Sequence, residues 1–226
     1  MIITVTRLTR GAAFSAITAG LLFILVQLIH PTEDAANVAS TAWTVTHGLT
    51  LAMAILALIG ITGMYLHQAE RAGLVGLIGY AYFAGCFLVI AGYTFVETFV
   101  LPSLTNTVPQ FVNDVVALPA GGTVVGDVGA LQAVALVSAS TYLVGGFVFG
   151  LSTFRARVLS RPAALLLIAG TVSTVLVPDL PHAAARLTAV PVGLALAWLG
   201  ASLWAATRAA GMPAPHGGSS ESGRVA

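Results

Sequence analysis

The architecture follows from two neighbouring stretches of sequence, AWTVTHGLTLAMAILALIGITGMYL (Ala42–Leu66) and GLVGLIGYAYFAGCFLVIAGYTFVETFVL (Gly73–Leu101). Each stretch is continuous and apolar, and only the short segment HQAERA separates them. A helix of about 20 apolar residues is long enough to cross the hydrocarbon core of a bilayer. The pair therefore predicts two antiparallel membrane-spanning helices joined by a tight turn.

The composition of the whole chain also indicates a membrane protein. Of its 226 residues, 58% are hydrophobic and 8% are charged, and the mean hydropathy is +0.96. Soluble domains carry about 25% charged residues, so the composition argues against that class. The formal net charge of +1 argues against nucleic-acid binding, which needs a concentrated basic surface. The single cysteine, Cys86, cannot form an internal disulfide.

The same length criterion predicts an all-α fold, a polytopic transmembrane bundle of six helices. The six spans are Gly11–Ile29, Ala42–Leu66, Gly73–Leu101, Gly129–Phe154, Pro162–Val177 and Leu187–Ala206. The third span is longer than the hydrocarbon core, so it is expected to tilt, kink or protrude. The fifth span is short, because prolines follow it.

The placement of arginine predicts the orientation of the bundle. With six alternating spans, Arg186 alone lies on one side, and the other arginines all lie on the opposite side. Basic residues accumulate in cytoplasmic loops, so both termini are predicted to be cytoplasmic. Residues 1–210 then form the transmembrane domain. Residues 211–226 are rich in Pro, Gly and Ser and are expected to form a disordered cytoplasmic tail.

One long connection, residues 102–128, lies on the outer side in this arrangement. Its segment VPQFVNDVVAL predicts a short interfacial helix that either covers an opening in the bundle or lies on the lipid headgroups. The apolar face of that helix carries Phe111, Val112, Val115 and Val116. Glycines at close spacing, such as Gly146 and Gly150, predict tight packing between helices.

Two ionisable residues within the spans carry the functional hypothesis. His47 lies about one turn inside the second span, and Glu97 lies about one turn before the third span ends. Ionisable groups within spans are costly and usually face the bundle interior or a water-filled cavity. Because these two spans are consecutive and antiparallel, the two side chains lie at similar depth and are expected to meet. In the structural alternative, Glu97 reaches up to the interface and His47 bonds a neighbouring carbonyl.

Further side chains are expected to complete a polar pocket that opens outward and has aromatic walls. Glu97 and His47 are the candidate catalytic residues of this pocket. The candidate ligand-binding residues are Trp43, Thr44, Thr50, Tyr93, Thr94, Asp179 and His182. The first five lie within a helical turn of His47 or Glu97, whereas the last two lie in a proline-bounded turn after the fifth span.

The cofactor chemistry of this pocket is only weakly constrained. His47, Glu97, Asp179 and His182 offer nitrogen and oxygen ligands, but no metal-binding spacing occurs on any helix. The metal assignment therefore stays open. Bis-histidine haem would need His30 and His47 to face each other at one depth. No cofactor is predicted.

An enzymatic alternative uses Glu97 as a general acid. A protonated carboxyl can protonate an isoprenoid double bond, and the π faces of neighbouring aromatics can stabilise the carbocation. The aromatics available near Glu97 are Trp43, Tyr93, Phe95 and Phe99. This is the chemistry of small integral-membrane terpene cyclases, to which the chain is similar in size.

Three stretches, Gly73–Pro102, Phe149–Gly170 and Val192–Trp204, resemble a widespread group of small polytopic bacterial membrane proteins that are mostly uncharacterised. The features that carry the resemblance best are the helix end from Glu97 to Pro102 and the Arg155-Ala-Arg157 turn. The resemblance implies a six-span protein of the bacterial inner membrane. It implies no catalytic residues.

Three functions follow as hypotheses. The leading one is an integral inner-membrane protein whose pocket at Glu97 and His47 binds a small hydrophobic or lipid-like ligand. The alternatives are a membrane-embedded enzyme that uses Glu97 as an acid, and a non-catalytic subunit whose Gly/Ala faces bind other helices. The expected partners are the lipid bilayer, the small ligand, and a membrane-protein partner or a second copy of the chain.

Overall fold

The computed structural model describes residues 2–119, 122–175 and 186–209, and the regular elements within these ranges are all helical. The helices are α1 (Val5–Ile29), α2 (Ala35–Val38), α3 (Thr41–Phe95), α4 (Leu101–Leu104), α5 (Pro109–Ala117), α6 (Val134–Ala156), α7 (Arg161–Ser173) and α8 (Ala189–Ala209). A π-helical turn, Val96–Val100, links α3 to α4, and a 3₁₀ turn, Gly129–Ala133, precedes α6. The predicted site residues Asp179 and His182 and the predicted tail, residues 211–226, lie outside the described residues.

Four helical regions are long and apolar enough to cross a membrane. They are Val5–Ile29, Thr41–Leu104, Gly129–Ala156 and Ala189–Arg208. Large apolar side chains on their outer faces are well exposed, among them Phe14 at 64%, Leu88 at 64% and Leu136 at 74%. Such a surface suits lipid tails rather than water. The all-α, membrane-embedded architecture predicted from the sequence is therefore supported.

The long helix α3 doubles back on itself at Gly73. The backbone there has φ 57° and ψ −154°, a conformation that glycine adopts without a side-chain penalty. The two arms of α3, residues 41–72 and 74–95, lie side by side: the rings of Tyr65 and Tyr80 stack at 4.7 Å, and the hydroxyls of Thr62 and Tyr80 are 3.1 Å apart. The arms form the antiparallel hairpin that the short turn predicts.

The helices approach one another through small residues. A Cβ atom added at Gly79 of α3 would lie 2.5 Å from the backbone nitrogen of Phe149 in α6. One added at Gly20 of α1 would lie 2.3 Å from the carbonyl oxygen of Gly193 in α8. These distances are too short for any side chain, so glycine permits the close α3–α6 and α1–α8 contacts.

Glycines on α6 also serve packing within the chain rather than a partner surface. A Cβ atom at Gly146 would collide with the Thr171 side chain of α7, and one at Gly150 would meet Ile168 of the same helix. The Gly/Ala faces that the subunit hypothesis expects to bind other helices therefore do not include this face of α6, because α7 of the same chain covers it.

The short helix α5 covers one end of the bundle. Val112, Val115 and Val116 are buried against a cluster that includes Trp43 and Leu101. The hydroxyl of Tyr93, on α3, donates a hydrogen bond to the carbonyl of Val115. Of the two predictions for this segment, the structure therefore favours the one in which it covers the bundle. We call this end of the molecule the His47 end.

Candidate functional site

A cavity of about 300 Å³ lies at the His47 end, beneath α5 and the segment that follows it. It is partly open, and its wall comes from the end of α1, both arms of α3 and the start of α6. The residues that matter most for its chemistry are His30, Glu33, His47, Tyr93, Thr94 and Glu97. The cavity thus collects ionisable groups from three separate segments of the chain.

His47 is held in one orientation by its own helix. Its Nδ1 lies 2.9 Å from the carbonyl oxygen of Trp43, one turn earlier. Because a carbonyl oxygen only accepts, Nδ1 carries the proton of this hydrogen bond. The imidazole also stacks on the indole of Trp43, with ring centroids 3.9 Å apart and an angle of 24° between the planes. These two contacts direct Nε2 toward the opposite arm of α3.

Glu97 lies in the π-helical turn that continues that opposite arm, and it is 7% exposed. Its Oε2 atom is 3.7 Å from Nε2 of His47, which is 3% exposed. The sequence predicts that these two side chains meet, and the geometry brings them together. The separation is longer than a hydrogen bond, so one small polar group can bridge the two atoms.

Pro102 leaves one carbonyl of the π-helical turn around Glu97 without a donor from the helix. In this register the N–H of Leu101 donates to the carbonyl of Val96. The next donor in the series would be residue 102, which is a proline and has no N–H. The carbonyl of Glu97 instead accepts a hydrogen bond from the indole Nε1–H of Trp43 at 2.9 Å. Trp43 therefore orients both members of the His47–Glu97 pair.

His30 also belongs to the site, although the sequence predicts it only at the outer end of the first span and as a candidate haem ligand, and not among the ligand-binding residues. Its ring meets the ring of His47 edge to face, with centroids 5.1 Å apart. The position could have been found from its place at the C-terminal cap of α1, at the same end of the bundle as His47. The exposed Glu33 lies at the mouth of the cavity and was likewise missed.

Arg186 reaches the same region through the end of α1. Its guanidinium donates to the carbonyl of His30 at 2.7 Å and to the carbonyl of Pro31 at 3.3 Å. Carbonyls at a helix C-terminus lack partners within the helix and carry partial negative charge. Arg186 therefore caps α1, and no ion pair with Glu97 is formed.

The remaining predicted residues divide into two groups. Thr50, Tyr93 and Thr94 line the cavity, and Trp43 supports it from behind His47. Thr44, in contrast, is exposed, and its hydroxyl bonds the carbonyl of Ser40. Each residue turns the helix by about 100°, which puts Thr44 on the far side of His47 from Trp43 and Thr50. Helical spacing alone did not distinguish these two sides.

The aromatic wall proposed for carbocation chemistry is largely absent from the cavity. Phe95 is 51% exposed and Phe99 is 59% exposed, and their rings pack on each other on the outer surface of the helix. Among Trp43, Tyr93, Phe95 and Phe99, only Tyr93 lines the cavity.

The described residues of the site offer little to a metal or to haem. Among the described residues, no group of three or more His, Cys, Asp or Glu side chains is arranged to hold a metal ion. The direct contact between the rings of His30 and His47 leaves no room for a planar macrocycle between them. The chemistry that the site does support is hydrogen bonding by the His47–Glu97 pair.

Comparisons of this chain with protein-family models, with curated proteins and with solved structures found no match.

Proposed function

We propose that this chain is a six-span protein of the bacterial inner membrane that binds a small lipid-like molecule in the cavity at Glu97 and His47. Both termini are cytoplasmic in this proposal, and the cavity opens toward the outer leaflet. The observation that carries the binding function is a buried ionisable pair that faces a cavity instead of being closed off by packing. Such groups are costly inside a membrane and are retained where they have a use.

The six-span layout is supported by the shape of α3 and by the position of α7. The bend at Gly73 divides the region Thr41–Leu104 into two arms, each long enough for one span. The apolar helix α7 packs against α6 through Gly146 and Gly150 and against α8 through Gly170. This packing between α6 and α8 supports α7 as part of the proposed fifth span.

The orientation is supported by the clustering of arginine at the end opposite His47, which we call the arginine end. The guanidinium groups of Arg10 and Arg208 both lie near the ring of Trp204, at 6.0 and 5.8 Å from its centroid. The α6–α7 turn joins the same end, because the backbone N–H of Ser160 donates to the hydroxyl of Ser202 in α8. Positive charge marks the cytoplasmic side of membrane proteins.

Native mass spectrometry of the protein released gently from detergent tests the binding function. The wild-type protein is expected to retain a small-molecule mass that Glu97→Gln loses, because the amide cannot reproduce the carboxyl's hydrogen bonds to the ligand. Glu70→Gln is the matched control, since Glu70 is exposed and lies beside the α3 turn. Thermal unfolding of both variants checks that each is folded. A bare protein mass for the folded wild-type protein, or equal retention by Glu97→Gln, would contradict the proposal.

A further inference from the structure

A second and more open cavity, of about 410 Å³, adjoins the first one farther from the His47 end, and we call it the deeper cavity. Ile90, Ser138 and Ala139 line both cavities, so the two share a wall. The deeper cavity is lined mainly by apolar side chains, and the residues found only there include Cys86, Tyr142, Leu143 and Thr174. The site is therefore polar at the His47 end and apolar beneath it.

The two cavities follow one groove between α3 and α6. On the second arm of α3 and the π-helical turn that follows it, the lining residues Glu97, Ile90 and Cys86 recur at helical spacing and lie along one face. On α6, the lining residues Val134, Ser138 and Tyr142 recur at every fourth position and face them. The groove spans about 16 Å from Glu97 to Cys86, at about 1.5 Å per residue. A single extended hydrocarbon chain fits such a shape, whereas a compact molecule would fill only one half.

The polar half of the groove selects the charge of the headgroup. A single proton held by His47 Nε2 or by Glu97 leaves the pair neutral overall, and no arginine among the described residues lines either cavity. Adding a net charge to a site within the membrane is costly unless a counter-charge is present. A neutral headgroup is therefore favoured over an anionic one.

A hydroxyl group matches the pair best among neutral headgroups. It can donate one hydrogen bond and accept another. Placed between Nε2 of His47 and Oε2 of Glu97, which are 3.7 Å apart, it can bond both atoms at once. A carbonyl or an ether oxygen could only accept.

Building on the proposed function, we infer that the ligand is a neutral single-chain amphiphile with a hydroxyl headgroup. The hydroxyl bridges His47 and Glu97, and the hydrocarbon chain extends down the groove between α3 and α6 toward Cys86 and Thr174.

Photolabelling of the full chain in phosphatidylcholine nanodiscs tests this inference. The probe is a long-chain alcohol with a diazirine near the end of its chain, and cross-linked peptides are located by mass spectrometry. Labels are expected on the residues of the deeper cavity, and excess dodecanol is expected to remove them more effectively than excess dodecanoate. Glu97→Gln is expected to lower this labelling by about fivefold, which corresponds to one hydrogen bond of about 1 kcal/mol.

Two variants at the C-terminal end of α7 distinguish the binding site for the hydrocarbon chain from the binding site for the headgroup. Thr174→Phe fills the deeper cavity and is expected to abolish labelling there, whereas Val172→Phe, on the exposed face of α7, leaves the labelling unchanged. The inference alone fails if Glu97→Gln weakens labelling but Thr174→Phe leaves the labels in the deeper cavity. It also fails if dodecanoate competes as well as dodecanol. The proposed function fails with it if neither dodecanol nor Glu97→Gln changes the labelling.

Discussion

Trp43 is the residue on which the geometry of the site depends. It stacks on the imidazole of His47, accepts the Nδ1–H of that ring at its backbone carbonyl, and donates its indole N–H to the carbonyl of Glu97. The indole N–H takes the place of the backbone N–H that Pro102 lacks. Trp43 therefore compensates for a proline that is far away in sequence. π-Helical turns of this kind are frequent at functional sites.

Replacing the indole by a phenyl ring removes that hydrogen bond together with part of a buried ring. Trp43→Phe keeps an aromatic ring next to His47 but leaves the carbonyl of Glu97 buried without its donor. We expect a loss of about 1–3 kcal/mol in the free energy of unfolding, measured in detergent micelles with increasing SDS mole fraction. Trp198→Phe is the matched control, because Trp198 is 48% exposed on the apolar surface. Equal stability of the two variants would mean that the bond to Glu97 contributes nothing.

At the level of elements, one carboxylate on α5 joins this helix to the segment that follows it, and both lie over the site. Asp114 accepts hydrogen bonds from the backbone N–H groups of Val125 and Gly126, at 3.0 and 2.9 Å, and from the side-chain amide of Gln110 at 3.0 Å. The segment after α5 is thereby tied back to the helix. The N–H donors stabilise the charged form, so they hold the pKa of Asp114 below its usual value of 3.8.

The hydrogen bonds of Asp114 predict how the segment after α5 responds to pH. Because the pKa of Asp114 is lowered in the folded protein, its contribution to stability is complete above pH 3.8 and is lost as the pH falls through the lowered value. The amide NMR signals of Val125 and Gly126 are therefore expected to shift with a midpoint below 3.8. Asp114→Asn, which keeps only one acceptor oxygen and turns an amide donor toward one of these N–H groups, is expected to weaken the turn and to speed hydrogen exchange at both positions.

Asn113→Ala is the control for this experiment, since Asn113 is the exposed neighbour of Asp114 on α5. It is expected to leave hydrogen exchange at Val125 and Gly126 as it is in the wild-type protein. A midpoint at or above 3.8, or slow exchange in Asp114→Asn, would show that the carboxylate does not hold this segment.

At the scale of the whole molecule, the two ends of the bundle differ in charge. The arginine end gathers the start of α1, the α3 turn, the α6–α7 turn and the end of α8, whereas the His47 end carries the cavity and α5. This difference is the physical basis for the proposed orientation, because positively charged loops are retained in the cytoplasm.

Cysteine labelling in intact cells checks the orientation directly. In a Cys86→Ser background, Asn106→Cys at the His47 end is expected to react with a membrane-impermeant maleimide, and Glu70→Cys at the arginine end is expected to react only after the cells are opened. Both residues are exposed, so access depends on the side of the membrane alone. The opposite pattern would reverse the proposed topology.

The sequence predicted the all-helical, apolar character of the chain and the contact of the central pair, and it was less successful with the surroundings of that pair. The apolar stretches on either side of HQAERA predicted the α3 hairpin, and the positions of His47 and Glu97 within it predicted their contact. Thr44 and the rings of Phe95 and Phe99 were placed in the pocket because they lie within one helical turn of the pair. The structure puts all three on outward faces, since spacing along a helix does not tell which side of a residue faces the bundle.

By itself, the sequence determined that the chain is apolar and helical and where its tight turn lies. It also determined that two ionisable groups lie at a similar depth. These properties follow from the length and hydropathy of each stretch, which are local. Tertiary structure alone decided that α5 closes over the pair, that His30 joins it and that Arg186 caps α1. Only the packed structure brings these segments together. Its close approaches at Gly79 and Gly20 each depend on the two helices that meet there. For the same reason, the groove between α3 and α6 is a property of the packed bundle and of neither helix.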